Sequence, residues 1–164
     1  MVRSSIVLAA LFAAAPALAQ EAVGCAAFKW PLDRERALLA NPTQAASGAE
    51  ISASGAAVTV ALLPLANANL PLAPTRTPKY PNSYAGFLRA AALPKAGIYR
   101  VTLSHGAWID VVQDGRTLRS VGFTGSKGCD GVAKSVKFDL AAAPFVIEVS
   151  GTSAHNVGLV ITPD

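Results

Sequence analysis

The chain is poor in the side chains from which most catalytic and metal sites are assembled. Of its 164 residues two are histidine, two are cysteine and one is methionine, and that methionine is Met1. A transition-metal site built on histidine would need both His105 and His155 together with carboxylates, and these two sit in different turns, fifty residues apart. There is no GxSxG elbow, no HExxH helix, no glycine-rich phosphate loop followed by lysine and no EF-hand loop. A serine hydrolase would have to draw its base from the same two histidines. Ser104 stands beside His105, but adjacency along the chain is not triad geometry. No catalytic residue and no cofactor is therefore assigned; a metal, if any, would rest on His105 and His155.

Charge is scarce too, at 15% of residues, and unevenly placed. No acidic residue occurs between Ile51 and Ile109, whereas Arg76, Lys79, Arg89, Lys95 and Arg100 supply five positive charges. With Tyr80 and Tyr84 in the same stretch, this region could meet anionic lipid head groups, lipopolysaccharide or acidic glycans, or simply solubilise a surface. The net excess of +4 is modest, and nucleic acid is not an expected partner.

A membrane-spanning run is also lacking. A mean hydropathy of +0.39 invites a membrane reading, yet the apolar run from Ile6 to Ala15 falls short of the ~20 residues a spanning helix needs. Arg3 precedes that run, and Pro16 and Ala17-Leu18-Ala19 follow it. This is the grammar of a cleaved secretory signal over residues 1–19, which places the mature protein in the periplasm or outside the cell. The rival is a lipoprotein signal ending at Cys25, against which Glu21 stands among positions that should be apolar. In an oxidising compartment the two cysteines have one pairing open to them, Cys25 with Cys129. A metal or redox thiol pair is the alternative, without a CxxC or a neighbouring histidine to support it.

What is present is a change of period. Residues 20–55 read as an N-terminal arm. Pro31 suits a first helical turn, Asp33 and Glu35 suit its positive end, and Leu32, Leu38 and Leu39 supply an apolar side, so a short helix is predicted over 31–39. From residue 56 to 164 the period is two, that of strands. The predicted strands are 57–63, 86–91, 97–104, 107–113, 116–124, 132–140, 144–150 and 156–162. Asp114-Gly115 reads as a type I′ hairpin turn. Residues 64–85 carry Pro64, Pro71, Pro74, Pro78 and Pro81, too many for a hydrogen-bonded ladder, and read as a loop or strap across one face. The fold class that follows is all-β, an antiparallel β-sandwich or jelly roll with one short N-terminal helix.

Among the carboxylates, Asp114 is explained by its turn and Asp130 by a loop, while Asp139 and Glu148 fall at outward strand positions. Asp110 is unusual because it shares a strand face with Trp108 and Val112. Either it pairs with a basic side chain on the outer face, or it joins an exposed Trp108 in holding a ligand such as a sugar. The candidate ligand-binding set is Trp108, Asp110, Tyr80, Tyr84 and Arg76.

The segments from Gly97 to Leu103, Trp108 to Gly115 and Phe145 to Val149 resemble the strand grammar of secreted sandwich modules, the pre-peptidase C-terminal domains and the sugar-binding protective-antigen-type modules. Where such modules often carry paired aspartates for calcium, this chain has His105-Gly106 after Leu103. The FKWPLDRERALL, WIDVVQDG and KSVKF segments resemble a group of small exported proteobacterial proteins, some of them called homogentisate 1,2-dioxygenases. That name would imply an iron held by His105, His155 and a carboxylate, in an enzyme type that is a much larger cupin with further histidines. The first expectation is a non-enzymatic exported sandwich that binds an envelope glycan or anionic surface. The alternative is an iron-dependent dioxygenase.

Overall fold

The computed structural model describes residues 23–164, so the predicted signal peptide, 1–19, lies outside the described residues. After a 3-10 turn (Gly24–Ala27) and helix α1 (Asp33–Leu39) come strands β1 (Thr43–Ala46), β2 (Glu50–Ile51), β3 (Ala57–Ala61) and β4 (Leu63–Pro64). Then follow β5 (Tyr84–Ala90), β6 (Gly97–Leu103), β7 (Trp108–Gln113), β8 (Arg116–Thr117) and β9 (Gly122–Gly125). The last three strands are β10 (Lys134–Leu140), β11 (Phe145–Thr152) and β12 (Asn156–Pro163). One sheet runs β1-β3-β12-β6-β10-β9 and the other β2-β5-β11-β7-β8, with β4 beside β5. The fold is an all-β sandwich. Its sheets are mixed, because β1 lies parallel to β3 and β2 parallel to β5, while the remaining pairings are antiparallel.

Alternation along the strands builds the core. Tyr99, Val101 and Leu103 of β6 and Val136, Phe138 and Leu140 of β10 face Ile109 and Val111 of β7 and Phe145, Ile147 and Val149 of β11 in one apolar cluster. Asp114 and Gly115, both at positive φ (54° and 72°), turn the chain between β7 and β8, as a type I′ turn requires.

Two predicted strands are broken, for one reason. Residues 57–63 divide into β3 in the first sheet and β4 in the second, and residues 116–124 divide into β8 and β9, again in different sheets. A strand can donate its ladder to only one sheet at a time, so the chain interrupts its pairing where it crosses the sandwich edge. Between β8 and β9 the crossing is pinned at each end, by Leu118 N–H to Val111 O (2.8 Å) and Val121 N–H to Lys137 O (2.9 Å).

Each sheet's outer face is partly covered, so many of the polar residues that alternation assigns to solvent are buried. Over the first sheet lies the N-terminal arm. Lys29 N–H donates to Thr124 Oγ1 on β9 (3.0 Å), the Trp30 indole N–H to Ser135 Oγ on β10 (3.3 Å), and Arg100 Nη1 on β6 to Pro31 O (3.1 Å). The Thr162 hydroxyl on β12 donates to Glu35 Oε1 (2.6 Å). Glu35 shares a helix face with Leu32, three residues before it, and Leu39, four after it, which turns its carboxylate onto the sheet and leaves it only 2% exposed. Cys25 and Cys129 form a disulfide, S–S 2.07 Å, that ties the start of the arm to the loop after β9. Gly24, at φ +65°, passes so close that a Cβ there would lie 3.1 Å from the Gly128 carbonyl oxygen. With its sulfur bonded to Cys129, Cys25 has no thiol left to carry a lipid.

Over the second sheet lies the proline-rich stretch. After a 3-10 turn (Leu65–Asn67) it crosses β11 and then β7, where Leu72 N–H donates to Glu148 Oε1 (2.8 Å) and Thr75 N–H to Asp110 Oδ2 (3.0 Å). No helix among the described residues is long and apolar enough to cross a membrane.

Candidate functional site

The strap brings Thr75 and Arg76 onto the first half of β7. Trp108 and Asp110 are two residues apart on one strand and therefore share its outer face. The Thr75 hydroxyl donates to Asp110 Oδ1 (2.5 Å), and the Trp108 indole N–H reaches both Thr75 Oγ1 (2.9 Å) and Asp110 Oδ1 (3.1 Å). With Thr75 N–H on the other oxygen, Asp110 is held by neutral donors. The expected pairing of Asp110 with a basic side chain is corrected: no lysine or arginine forms an ion pair with it among the described residues. One backbone N–H and one hydroxyl from Thr75 on the strap, with the Trp108 indole, are the donors that make its burial, 5% exposed, tolerable.

The indole is not an open platform. Arg76 lies over the Trp108 ring, its Cζ 5.2 Å from the centroid, and Lys134 Nζ lies 4.7 Å from the same centroid. Both are within the range of cation–π attraction. Lys134 also donates to Ala107 O (2.8 Å). Burial, and then the neighbouring Arg76, push the Lys134 pKa below the usual lysine value, with Asp110 acting in the opposite direction.

These residues rim a cleft of about 810 Å³ that opens where both sheets end, between β7 and β8 on one side and β9 and β10 on the other. Its floor is apolar, formed by Ile109, Leu118, Val136 and Phe138; its rim carries Arg76, Lys134 and Arg119. Phe123, 61% exposed, stands at the mouth. Among the described residues none of the three rim cations is in an ion pair.

The sequence-predicted set therefore divides. Trp108, Asp110 and Arg76 meet. Tyr80, on the strap, is exposed and lines a small hollow of about 190 Å³ with Arg76, Trp108 and Lys134. Tyr84 begins β5 and stacks on His155, ring centroids 4.1 Å apart; it lines neither the cleft nor the hollow. The run of five cations is dispersed between the two sheets: Arg100 on β6 lies on the outer face of the first, bonded to Asp164 (2.7 Å), while Arg89 on β5 in the second bonds Gly48 O (2.6 Å). The histidines are used separately. His105 Nδ1 lies 2.8 Å from Ser104 Oγ, which accepts the Gly158 N–H (2.8 Å), and His155 stacks on Tyr84. No group of three or more His, Cys, Asp or Glu side chains able to hold a metal occurs among the described residues.

Lys134 and Arg119 were not found from sequence. Lys134 had a signal: it lies two residues before Val136 and four before Phe138, so the alternation that sends those inward sends Lys134 to the inner face as well. Arg119 had none, because it sits in the crossing between sheets. Glu148 is a further correction. It does occupy an outward strand position, but the strap buries it to 2% exposure.

Fold and cleft together define a two-sheet sandwich with a cationic, apolar-floored opening at one edge. The chain matches no protein-family model, no curated protein and no solved structure.

Proposed function

We propose that this is an exported, non-enzymatic binding module that captures an anionic component of the cell envelope at the Trp108 cleft. The observation that carries this is the pair Arg76 and Lys134, both held against one indole with no carboxylate in ion-pair contact. Holding two like charges together is unfavourable, Asp110 opposes the effect of Arg76 on Lys134 only as the smaller influence, and an arriving anion would offset the rest. A neutral sugar is the weaker candidate, because the indole face and the Asp110 oxygens that would hold it are already engaged. Export is supported by the residue 1–19 pattern and is compatible with the disulfide, which needs an oxidising compartment.

The test is retention on vesicles. The mature protein should bind phosphatidylcholine vesicles containing phosphatidylglycerol, release from them at high salt, and ignore pure phosphatidylcholine. Arg76→Gln and Lys134→Gln together should lower retention at least tenfold. Equal binding to neutral vesicles, or retention on a neutral glycan resin that depends on Trp108, would overturn the reading.

A further inference from the structure

We infer that the ligand of this cleft is a single-chain anionic amphiphile, its acidic head group between Arg76 and Lys134 and its apolar tail laid between the ends of the two sheets. This rests on the anion-binding reading above and adds the tail. Charge complementarity identifies the head. The three rim cations come from three separate segments: Arg76 from the strap, Arg119 from the β8–β9 crossing and Lys134 from the start of β10. Among the described residues none of the three is ion-paired, and Asp110, the carboxylate that lines the cleft with them, is already engaged by Thr75 and the indole.

The tail is identified by what lies beneath that mouth. Lys134 belongs to the inward-facing row of β10, so the next inward residues below it are Val136 and then Phe138. A molecule bound at the ammonium group and extending along that row leaves polar chemistry at once and meets Val136, Phe138, Leu118 and Ile109. A simple phosphate or sulfate would use the rim and leave this floor empty. A polymeric acidic glycan would present hydroxyls to it and lose their hydrogen bonds to water. At about 810 Å³ the cleft falls within the ~300–1,000 Å³ usual for small-molecule sites.

The opening also has a structural cause. β7 is paired along its length with β11 on one side, but on the other only Val112 and Gln113 find a partner strand, β8. The sheet is therefore one strand short beside Trp108 to Asp110, and Phe123 of β9 opposite is left uncovered while Val136 and Phe138 of β10 form the buried floor. Phe123, 61% exposed, stands on this side. It extends the apolar surface outward from the floor, as a tail longer than the cleft would require.

The experiment is titration of the disulfide-bonded mature protein with straight-chain carboxylates below their micellar concentrations, followed by calorimetry and Trp fluorescence. Dodecanoate should bind one to one. Each buried methylene should tighten binding about threefold to fourfold, so octanoate should bind on the order of a hundredfold more weakly. Dodecanol, of equal tail and no charge, should lose at least tenfold. Arg76→Gln and Lys134→Gln together should erase the difference between dodecanoate and dodecanol, and Phe123→Ser, at an exposed position, should weaken dodecanoate several-fold while leaving the thermal midpoint unchanged.

If butyrate and inorganic phosphate bind as well as dodecanoate, the tail is refuted and the anion reading survives. If dodecanol binds as tightly as dodecanoate, the head-group assignment fails and takes the anion reading with it. No binding of any of these probes overturns both. A dimer that Phe123→Ser dissociates would give the cleft to a second copy of the chain, and that too overturns the proposal.

Discussion

Asp110 on β7 and Glu148 on β11 are directly opposed cross-strand neighbours, and both carboxylates are buried beneath the same strap. Like charges in that position repel. Donors answer unequally: Thr75 of the strap and the Trp108 indole saturate Asp110, while the strap's Leu72 N–H serves only Glu148 Oε1, and Oε2 has no partner among the described residues. The two acids consequently differ. Burial, reinforced by Asp110 and opposed by the Leu72 N–H, pushes the Glu148 carboxyl above the usual glutamate value.

The stability consequence of Glu148 has a definite sign. A carboxyl whose folded pKa is raised is protonated more readily in the folded state, so its contribution is fully present below the unfolded pKa and declines as pH rises through the folded one. Glu148→Gln should therefore stabilise the protein at pH 8, by about 1 kcal/mol if a buried unpaired acceptor is what it relieves. The gain should vanish near pH 4. Thermal midpoints of both proteins across that range check it; a gain independent of pH would show that ionisation plays no part.

Asp164 acts in the opposite direction. Its hydrogen bond from Lys137, aided by Arg100, draws its carboxyl below the ordinary aspartate value. Its stabilising contribution is present above the unfolded pKa and is lost as pH falls through the folded one. Asp164→Asn should cost little at pH 3 and more at pH 7, with the difference reduced in high salt because the site is on the surface. Urea midpoints at the two pH values measure this.

The strap is fastened by few bonds, and Asp110 receives the densest set. Asp110→Ala removes the acceptor for Thr75 N–H, the Thr75 hydroxyl and the indole together, so residues 68–83 should open more often. Trypsin cleavage at Arg76 and Lys79 should accelerate about tenfold, equivalent to about 1.4 kcal/mol of lost closure. Peptide mass analysis after brief digestion reads this directly. Unchanged cleavage there would mean that the proline backbone, rather than Asp110, holds the strap.

The disulfide closes a separation of 104 residues. In the chain-entropy model a loop of that size is worth about 4 to 5 kcal/mol, with 2 to 5 typical on removal. Cys25→Ala and Cys129→Ala should each lower urea stability by an amount in that range, and the double variant should cost no more than either. Thiol labelling of the unreduced, denatured protein should find no free cysteine. Additive losses would show that each side chain stabilises by packing alone.

Glu35 tests the arm. Its carboxylate accepts from Thr162 and lies 3.6 Å from Arg100. Glu35→Ala should destabilise by about 2 to 3 kcal/mol, less than the ~3–5 usual for breaking a buried pair, because Arg100 keeps Asp164. Glu35→Gln, which preserves the acceptor, should cost less than half as much. Equal losses in the two variants would show that the charge matters and the hydrogen bond does not.

Local rules were enough to read most of the strands, the hairpin at Asp114-Gly115, the helix and the meeting of the two cysteines, but not the short edge strands β1 and β2 in the arm or the breaks within 57–63 and 116–124. Period, turn chemistry and residue supply are properties of neighbours along the chain, and they placed Val136, Phe138 and Leu140 on one face correctly. They also isolated Asp110 as a carboxylate in an unusual position. What they could not determine is what covers a face. Glu148, Thr102 and Ser135 have the same outward parity as Asp139, yet only Asp139 is exposed, because the arm and the strap arrive from distant parts of the chain. The cleft has the same origin: Arg76, Arg119 and Lys134 are brought to one mouth by the order of strands in two sheets, which no local pattern encodes. The sequence by itself determined a disulfide-capable sandwich with scarce catalytic chemistry; the tertiary structure decided which charges meet and left one sheet edge unfilled beside Trp108.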